Sequence, residues 1–469
     1  MSPPPRSTSR PDAGTRVSRL RWQRAAVLGA VCVGMVVHVV HGGWAGTTLA
    51  PLELSESLRT VHQGVVTAGA LLMVAAIAAT AIYGRFFCGW GCHFLAVQDA
   101  TTALLGRFGL GRERAPWRAL RWAPVALVVY LYGWPLLPVL LGEVAWPGLH
   151  VQPAESAWGS FQTDDLWRSM PGVPVMVATF FVGAVALVAV AGPRAFCQTA
   201  CPYGVFFAGA DRLAPQRITL TGACSGCNRC SEACWSGVDV LGELRASGAV
   251  RNSACMRDLD CVAVCPTGAI TLSRAPLQLR PARPAEVRAP WAEEALAALL
   301  VLGGFLAFRG LYAAIPVLMA LPAAVLVAVV TLRALGLRGG AAVAPTGKGT
   351  LPLRLAALSL LAFTAHSGLV RLHEARAQTA ELAARAGDPS DLAEAIAEWE
   401  AARDLGVYAP TTLRSRLADL YLRRGDRRAA VAELRAVVDA DPGDEGARRA
   451  LAAVEGASAD QGAEHPYAE

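Results

Sequence analysis

The sequence predicts a mainly helical, polytopic membrane protein. A small cysteine-rich α+β module is inserted between its spans, and a soluble helical region follows them. Three observations predict this. Of 469 residues, 54% are hydrophobic and only 17% charged, whereas a soluble chain carries roughly 25% charged residues. Seven apolar runs recur, most of them near the ~20 residues that a spanning helix needs. Seven of the twelve cysteines fall within residues 224–265.

Composition also excludes a class of partner. The net charge is +6 and no basic stretch is interleaved with aromatics, so the chain has no nucleic-acid footprint. Twelve cysteines would suit a disulfide scaffold in a short secreted chain. In a long membrane protein they argue for metal thiolates on the reducing side.

Residues 1–20 are rich in Pro, Ser and Arg and read as a disordered basic tail. The apolar runs lie near residues 22–41, 61–83, 122–141, 173–191, 295–308, 311–332 and 353–369. The fifth is short, carries Gly303-Gly304 and must recruit Trp291 onward to cross. Domains follow as a four-helix membrane region at 21–214, the cysteine module at 215–285 and a three-helix membrane region at 290–370. Helical repeats are expected at 375–456 and a disordered tail at 457–469.

Arginine sets the expected orientation, because cytoplasmic loops collect positive charge. Arg6, Arg10, Arg16, Arg19 and Arg21 precede the first run, and Arg85, Arg107, Arg112, Arg114, Arg118 and Arg121 occupy loop 84–121. The Arg-poor loops 43–60 and 142–172 carry Glu53, Glu56, Glu143, Glu155, Asp164 and Asp165 and read as extracytoplasmic. The cysteine module and the 333–352 link, with Arg333, Arg338 and Lys348, then fall inside. Seven crossings place the C-terminal region outside.

The module's first run is Cys224, Cys227, Cys230 and Cys234, spaced C-x2-C-x2-C-x3-C. This is the bacterial two-cluster ferredoxin spacing, in which the fourth Cys of each run ligates the other cluster. The second run keeps Cys255, Cys261 and Cys265-Pro266 but has Asp258 in place of its second Cys. Cluster one takes Cys224, Cys227, Cys230 and Cys265. Cluster two takes Cys234, Cys255 and Cys261, with Asp258 as candidate fourth ligand. Carboxylate is a harder ligand than thiolate, so cluster two reads as an Asp-ligated 4Fe–4S centre, a 3Fe–4S centre with an empty corner, or a lost cluster. Four cysteines also make closed zinc sites, but the spacing and the Cys-Pro ending favour iron–sulfur.

Two further pairs sit at membrane edges: Cys88 with Cys92 after the second run, and Cys197 with Cys201 after the fourth. On a helix, an i, i+4 pair faces one way. The four thiols read as an additional metal site, a redox dithiol pair, or thiols packing helix ends. His38, His41 and His62 near the outer ends of the first two spans are candidates for a quinone-facing or haem site.

Residues 80–270 resemble the membrane-bound 4Fe–4S polyferredoxins of the NosR/NapH type. The motifs that carry the likeness are Cys197-Gln-Thr-Ala-Cys201-Pro202, the pair Cys88/Cys92, and the cysteine module. The chain departs from that pattern at His93, which replaces a Pro, at Asp258, and at Trp235 after Cys234. The resemblance implies a multi-pass protein of the bacterial plasma membrane that transfers electrons through iron–sulfur clusters at the cytoplasmic face. It implies a quinol-linked or ferredoxin-like donor and a respiratory or metalloenzyme-maturation acceptor. Residues 412–444 resemble a tetratricopeptide repeat, with Ala418, Tyr421, Gly425, Ala429, Ala430, Leu434 and Pro442 in helix–turn–helix order. That implies a protein partner. Two other classes stay open: a membrane copper reductase using the Cys-x3-Cys thiols, and a non-catalytic redox sensor or assembly factor.

Overall fold

A computed structural model describes residues 13–110, 113–153, 159–164, 172–277, 289–337, 350–385 and 389–462. Arg6, Arg10, Arg112, Glu155, Asp165, Arg338 and Lys348, all used above to set sidedness, lie outside these residues. The chain divides into two compact units, residues 1–298 with 335–346, and residues 299–334 with 347–469.

In the first unit, α1 runs Ala13–Ala45. It begins inside the stretch 1–20 expected to be disordered, because Arg16, Arg19 and Arg21 are good helix formers leading into an apolar run. Val33, Val36, Val37 and Val40 stay exposed, as side chains facing acyl tails would. The run at 61–83 is divided. Helix α2 (Ser57–Gln63) ends at Gly64, whose φ is 73°, and α3 (Ala68–Tyr83) starts behind Thr67, whose hydroxyl caps the Ala70 N–H at 3.1 Å. Sixteen residues rise only about 24 Å, short of the ~30 Å hydrocarbon core. Among the described residues, six helices are long and apolar enough to span, including α5 (Ala119–Leu140) and α6 (Val173–Ala191), and Ala68–Tyr83 is a shorter apolar helix. Between α3 and α5 lies α4 (His93–Arg107).

The three histidines near the outer ends of these spans act as tethers. His38 Nε2 donates to the Leu49 carbonyl at 2.9 Å, and His62 Nε2 donates to the Leu131 carbonyl at 2.8 Å. His41 Nδ1 lies 3.2 Å from the Thr48 hydroxyl. Thr48–Leu49 forms strand β1, which pairs antiparallel with β2 (Gln162–Thr163). His38 and His41 hold the segment 48–49, and His62 holds α5.

After two short helices, α7 (Ala195–Thr199) and α8 (Tyr203–Asp211), the cysteine module begins. It consists of β3 (Gln216–Leu220), α9 (Arg229–Glu232), α10 (Val240–Ser247), α11 (Asp260–Ala263) and β4 (Ile270–Arg274). Strands β3 and β4 pair antiparallel from Gln216↔Arg274 to Leu220↔Ile270. Their inner faces, with α10, build a core of Ile218, Val240, Leu244 and Ile270 around Cys230, Cys234, Cys261 and Cys265.

Helix α12 (Trp291–Phe308) does begin at Trp291 and runs into the second unit. There α13 (Val317–Ala334) is largely buried, and α14 (Thr350–Ala384) is one continuous helix of 35 residues. No break separates the apolar stretch 353–369 from the polar stretch after Arg371, contrary to the expected boundary at 370–375, because neither Gly nor Pro interrupts the helix there. Helices α15 (Pro389–Leu405), α16 (Thr411–Arg424), α17 (Arg427–Ala440) and α18 (Glu445–Gly462) follow. The last continues past Gly456, into the expected disordered tail, and 463–469 lie outside the described residues. Gly425, at φ 86°, and the Asp426 N-cap, whose Oδ1 accepts the Ala429 N–H at 3.1 Å, make the turn between α16 and α17.

The helices from Ala377 onward have their own core: Ala377 and Ala380 of α14, Ile396 and Trp399 of α15, Leu417 and Tyr421 of α16 and Ala430 of α17. Leu417 is completely buried in it. Leu417→Ala should therefore cost ~2–5 kcal/mol, read as a lower thermal midpoint and faster proteolysis of this region in the purified full chain.

Candidate metal centre

The two halves of the cysteine module repeat one backbone plan. Asn228 (φ 60°) and Leu259 (φ 65°) each take a left-handed conformation and start the short helices α9 and α11. Cys227 and Asp258 are the residues just before these turns, so they occupy equivalent positions. The Arg229 N–H donates to the Cys227 thiol, and the Asp260 N–H donates to Asp258 Oδ1 at 3.3 Å. By the same correspondence Cys224 matches Cys255, Cys230 matches Cys261, and Cys234 matches Cys265.

By the sequence pattern the cysteines form three sets. In the first, Cys224 and Cys227 are exposed and Cys230 and Cys265 are buried. Cys234 and Cys261 are buried, Cys255 is partly so, and Asp258 is buried with them. The charges of Cys255, Asp258, Cys234 and Cys230 all act on Cys261, which places the second set together and beside the first. Burial pushes the Cys255 thiol up to about 12. The third set is Cys88, Cys92, Cys197 and Cys201. Burial pushes Cys92 up to about 11 and Cys201 to about 12, and the neighbouring Cys88 adds to both shifts. Cys197 is raised by burial and then by Cys201, Cys92 and Cys88. The fold thus brings the two Cys-x3-Cys pairs, more than a hundred residues apart in sequence, into one group.

A buried guanidinium stands between the second and third sets. Arg194 is completely buried. Its Nε and Nη2 fork onto the Asp99 carboxylate at 3.0 and 3.1 Å, and its Nη1 donates to Asp258 Oδ2 at 2.6 Å and to the Ser236 hydroxyl at 2.9 Å. Asp99 is shared with Arg24 of α1, whose Nε donates to the Gly89 carbonyl at 2.8 Å. Burial alone would raise the Asp258 carboxyl; Arg194, helped by Arg24, reverses this and holds it below the ordinary carboxylate range. A second buried triad joins Arg217, Asp211 and Arg257 at 2.8 Å on each side.

These contacts dock the loop 253–258 onto the Cys88 motif. Arg85 donates to the Ser253 carbonyl and, at 3.7 Å, to the Cys88 sulfur. Trp90 Nε1 donates to the Arg257 carbonyl at 3.0 Å, and Arg257 Nη1 donates to the Tyr83 carbonyl at 2.8 Å at the end of α3. A Cβ on Gly89 would stand 2.2 Å from the Met256 oxygen, so only glycine allows this approach. Gln98 Nε2 donates to the Cys197 sulfur at 3.1 Å.

Arg24, Asp99, Arg194, Asp211 and Arg257 are site residues that the reading by cysteine spacing did not find. A signal for two of them was present. Arg85-Phe86-Phe87-Cys88 and Arg194-Ala195-Phe196-Cys197 repeat the pattern Arg-x-Phe-Cys-x3-Cys. Asp99 is also the only acid between Gly84 and Leu110.

The donor sets fit iron–sulfur clusters. Buried thiols with raised pKa values become thiolates only beside a strong local cation, which a bound metal provides. Among the described residues, no three His, Cys, Asp or Glu side chains converge tightly enough for a single metal ion. Comparison with known proteins points the same way. A family model described as a 4Fe-4S binding domain matches residues 65–111 and 173–221, about a fifth of the chain. The two matches cover the Cys88/Cys92 and Cys197/Cys201 pairs and mark a duplicated unit. No curated protein and no solved structure matches.

Removing one partner of a buried ion pair costs ~3–5 kcal/mol, because the other charge is stranded. Arg194→Met should lower stability by about that much in thermal unfolding of the detergent-solubilised chain. Adding Asp258→Asn to Arg194→Met should recover part of the loss.

Proposed function

We propose that this chain is a multi-pass membrane protein that transfers single electrons through iron–sulfur clusters at the cytoplasmic face of a bacterial plasma membrane. The observation that carries the reading is the gathering of the two Cys-x3-Cys pairs into one group, with the cysteine module docked on them through Arg85, Trp90 and Arg194. The family description of 4Fe-4S binding, falling on the third set, supports iron–sulfur rather than copper there. Iron–sulfur clusters, when bound, supply reversible one-electron chemistry whose potential follows ligands, charge and exposure.

The chain's own residues divide the work. Cys224, Cys227, Cys230 and Cys265 would hold one cluster where a redox partner can reach it, since Cys224 and Cys227 are exposed. Cys234, Cys255 and Cys261 would hold a second in a setting closed to water. Cys88, Cys92, Cys197 and Cys201 would hold a further centre between the two halves of the duplicated unit. Arg85 and Arg194 set positive charge beside the second and third sets, and guanidinium lowers the cost of adding negative charge there. The donor is quinol or a soluble ferredoxin-like protein, and the acceptor is a respiratory or metalloenzyme-maturation system. The helices of residues 375–456, read as tetratricopeptide-like repeats, grip a protein partner.

The arginines that precede α1 and fill loop 84–121 support a module on the inner side. The C-terminal helices fall outside if α3 crosses with the six longer spans.

Iron and acid-labile sulfide in the purified chain, with reduced-state EPR, test the reading. Changing Cys224, Cys227 and Cys230 together to Ser should remove about four irons and one signal. A wild-type chain without iron and sulfide would sink the proposal. Copper retained at the third set in place of iron would favour the reductase reading.

A further inference from the structure

We infer that Asp258 is not a cluster ligand: Arg194 holds its carboxylate, and the second cluster is held by the three thiolates of Cys234, Cys255 and Cys261, with its fourth corner open to a small thiol or similar donor. This rests on the iron–sulfur reading above.

The argument begins with position. Asp258 stands where Cys227 stands in the other half of the module, one residue before the left-handed turn. By backbone alone it would point a ligand at the cluster. Each of its two oxygens carries a hydrogen bond. Oδ2 takes Arg194 Nη1 at 2.6 Å, and Oδ1 takes the Asp260 N–H at 3.3 Å. The second bond is the one that Cys227 also receives, so it belongs to the turn. The first has no counterpart in the turn and comes from a residue 64 positions away.

Arg194 has nowhere else to turn. It is completely buried, and Asp99 already takes its Nε and Nη2 edge. Its Nη1 is left with Asp258 and one neutral hydroxyl, Ser236. A buried guanidinium requires anionic partners, and a carboxylate drawn onto iron would be a poorer one. A thiolate at this position would be a weaker acceptor than a carboxylate for the Arg194 Nη1 donor. The exchange of Cys for Asp is thus explained by the clamp between the module and the Cys197 motif. The cluster loses a ligand and the interface gains an ion pair.

Cys234 and Cys261 lie in one buried core with Cys255 packed against it, so the three thiols are grouped by packing and not by the carboxylate. A three-thiolate site leaves one corner without a protein ligand. Such a corner takes a small exogenous donor, which a cluster with four protein ligands refuses.

The test uses the full-length, cluster-loaded chain in detergent. Titration with 2-mercaptoethanol should shift one of its EPR signals and leave the others in place. Asp258→Asn, which keeps an acceptor oxygen for Arg194, should retain the wild-type iron count and spectrum. A wild-type chain whose signals ignore the thiol overturns the assignment. So does an Asp258→Asn variant that loses iron or changes its spectrum while its thermal midpoint stays near wild type. If that variant fails to fold, the thiol titration of the wild type still decides. Complete absence of iron and sulfide from the wild type overturns the electron-transfer reading itself, whereas loaded but thiol-silent protein overturns only this assignment.

Discussion

Arg194 sits completely buried between Asp99 and Asp258, and the first unit is arranged around its need for those partners. An isolated buried charge is prohibitively costly, so the guanidinium can exist there only if α4 supplies Asp99 and the cysteine module supplies Asp258. Asp99 in turn draws in Arg24 from α1. One electrostatic constraint therefore ties together four segments from positions 24, 99, 194 and 258. The close approach of Gly89 to the Met256 oxygen follows from the same docking.

The duplicated unit explains why the constraint lies where it does. Each half ends a helix at a glycine with positive φ, Gly84 or Gly192, and then places Arg three residues before the first Cys of its pair. Arg85 reaches Ser253 and Cys88, while Arg194 reaches Asp258 and Ser236. The two arginines hold the same loop and its neighbourhood from two sides. Thiols beside such arginines form a setting in which added negative charge is tolerated, which suits the electron-carrying role proposed for them.

The second unit follows a different logic. Helix α14 carries the membrane-compatible stretch and the soluble stretch in one rod of 35 residues. Its C-terminal part contributes Ala377 and Ala380 to the core of the following helices, so these helices pack on the end of an apolar helix within their own unit. Glu433 of α17 pairs with Arg403 and Arg414 at 2.6 and 2.8 Å, beside a core of alanines, leucines, Ile396, Trp399 and Tyr421.

By itself the sequence determined the helical membrane class, the cysteine spacing and the helix order of the C-terminal region. These are local properties: run length, intervals of two or three residues, and turn residues such as Gly425. It also held the repeated Arg-x-Phe-Cys pattern. The length of an apolar run misjudged where a helix breaks and where it continues. The run at 61–83 is broken at Gly64, and α14 passes unbroken through an expected boundary. Only the tertiary structure decided which thiols share a neighbourhood and what Asp258 touches. Its partner is 64 residues away, and an ion pair between distant residues leaves no interval in the chain to read. A carboxylate in a cysteine's place looks like a substitute ligand until the buried arginine that requires it is seen.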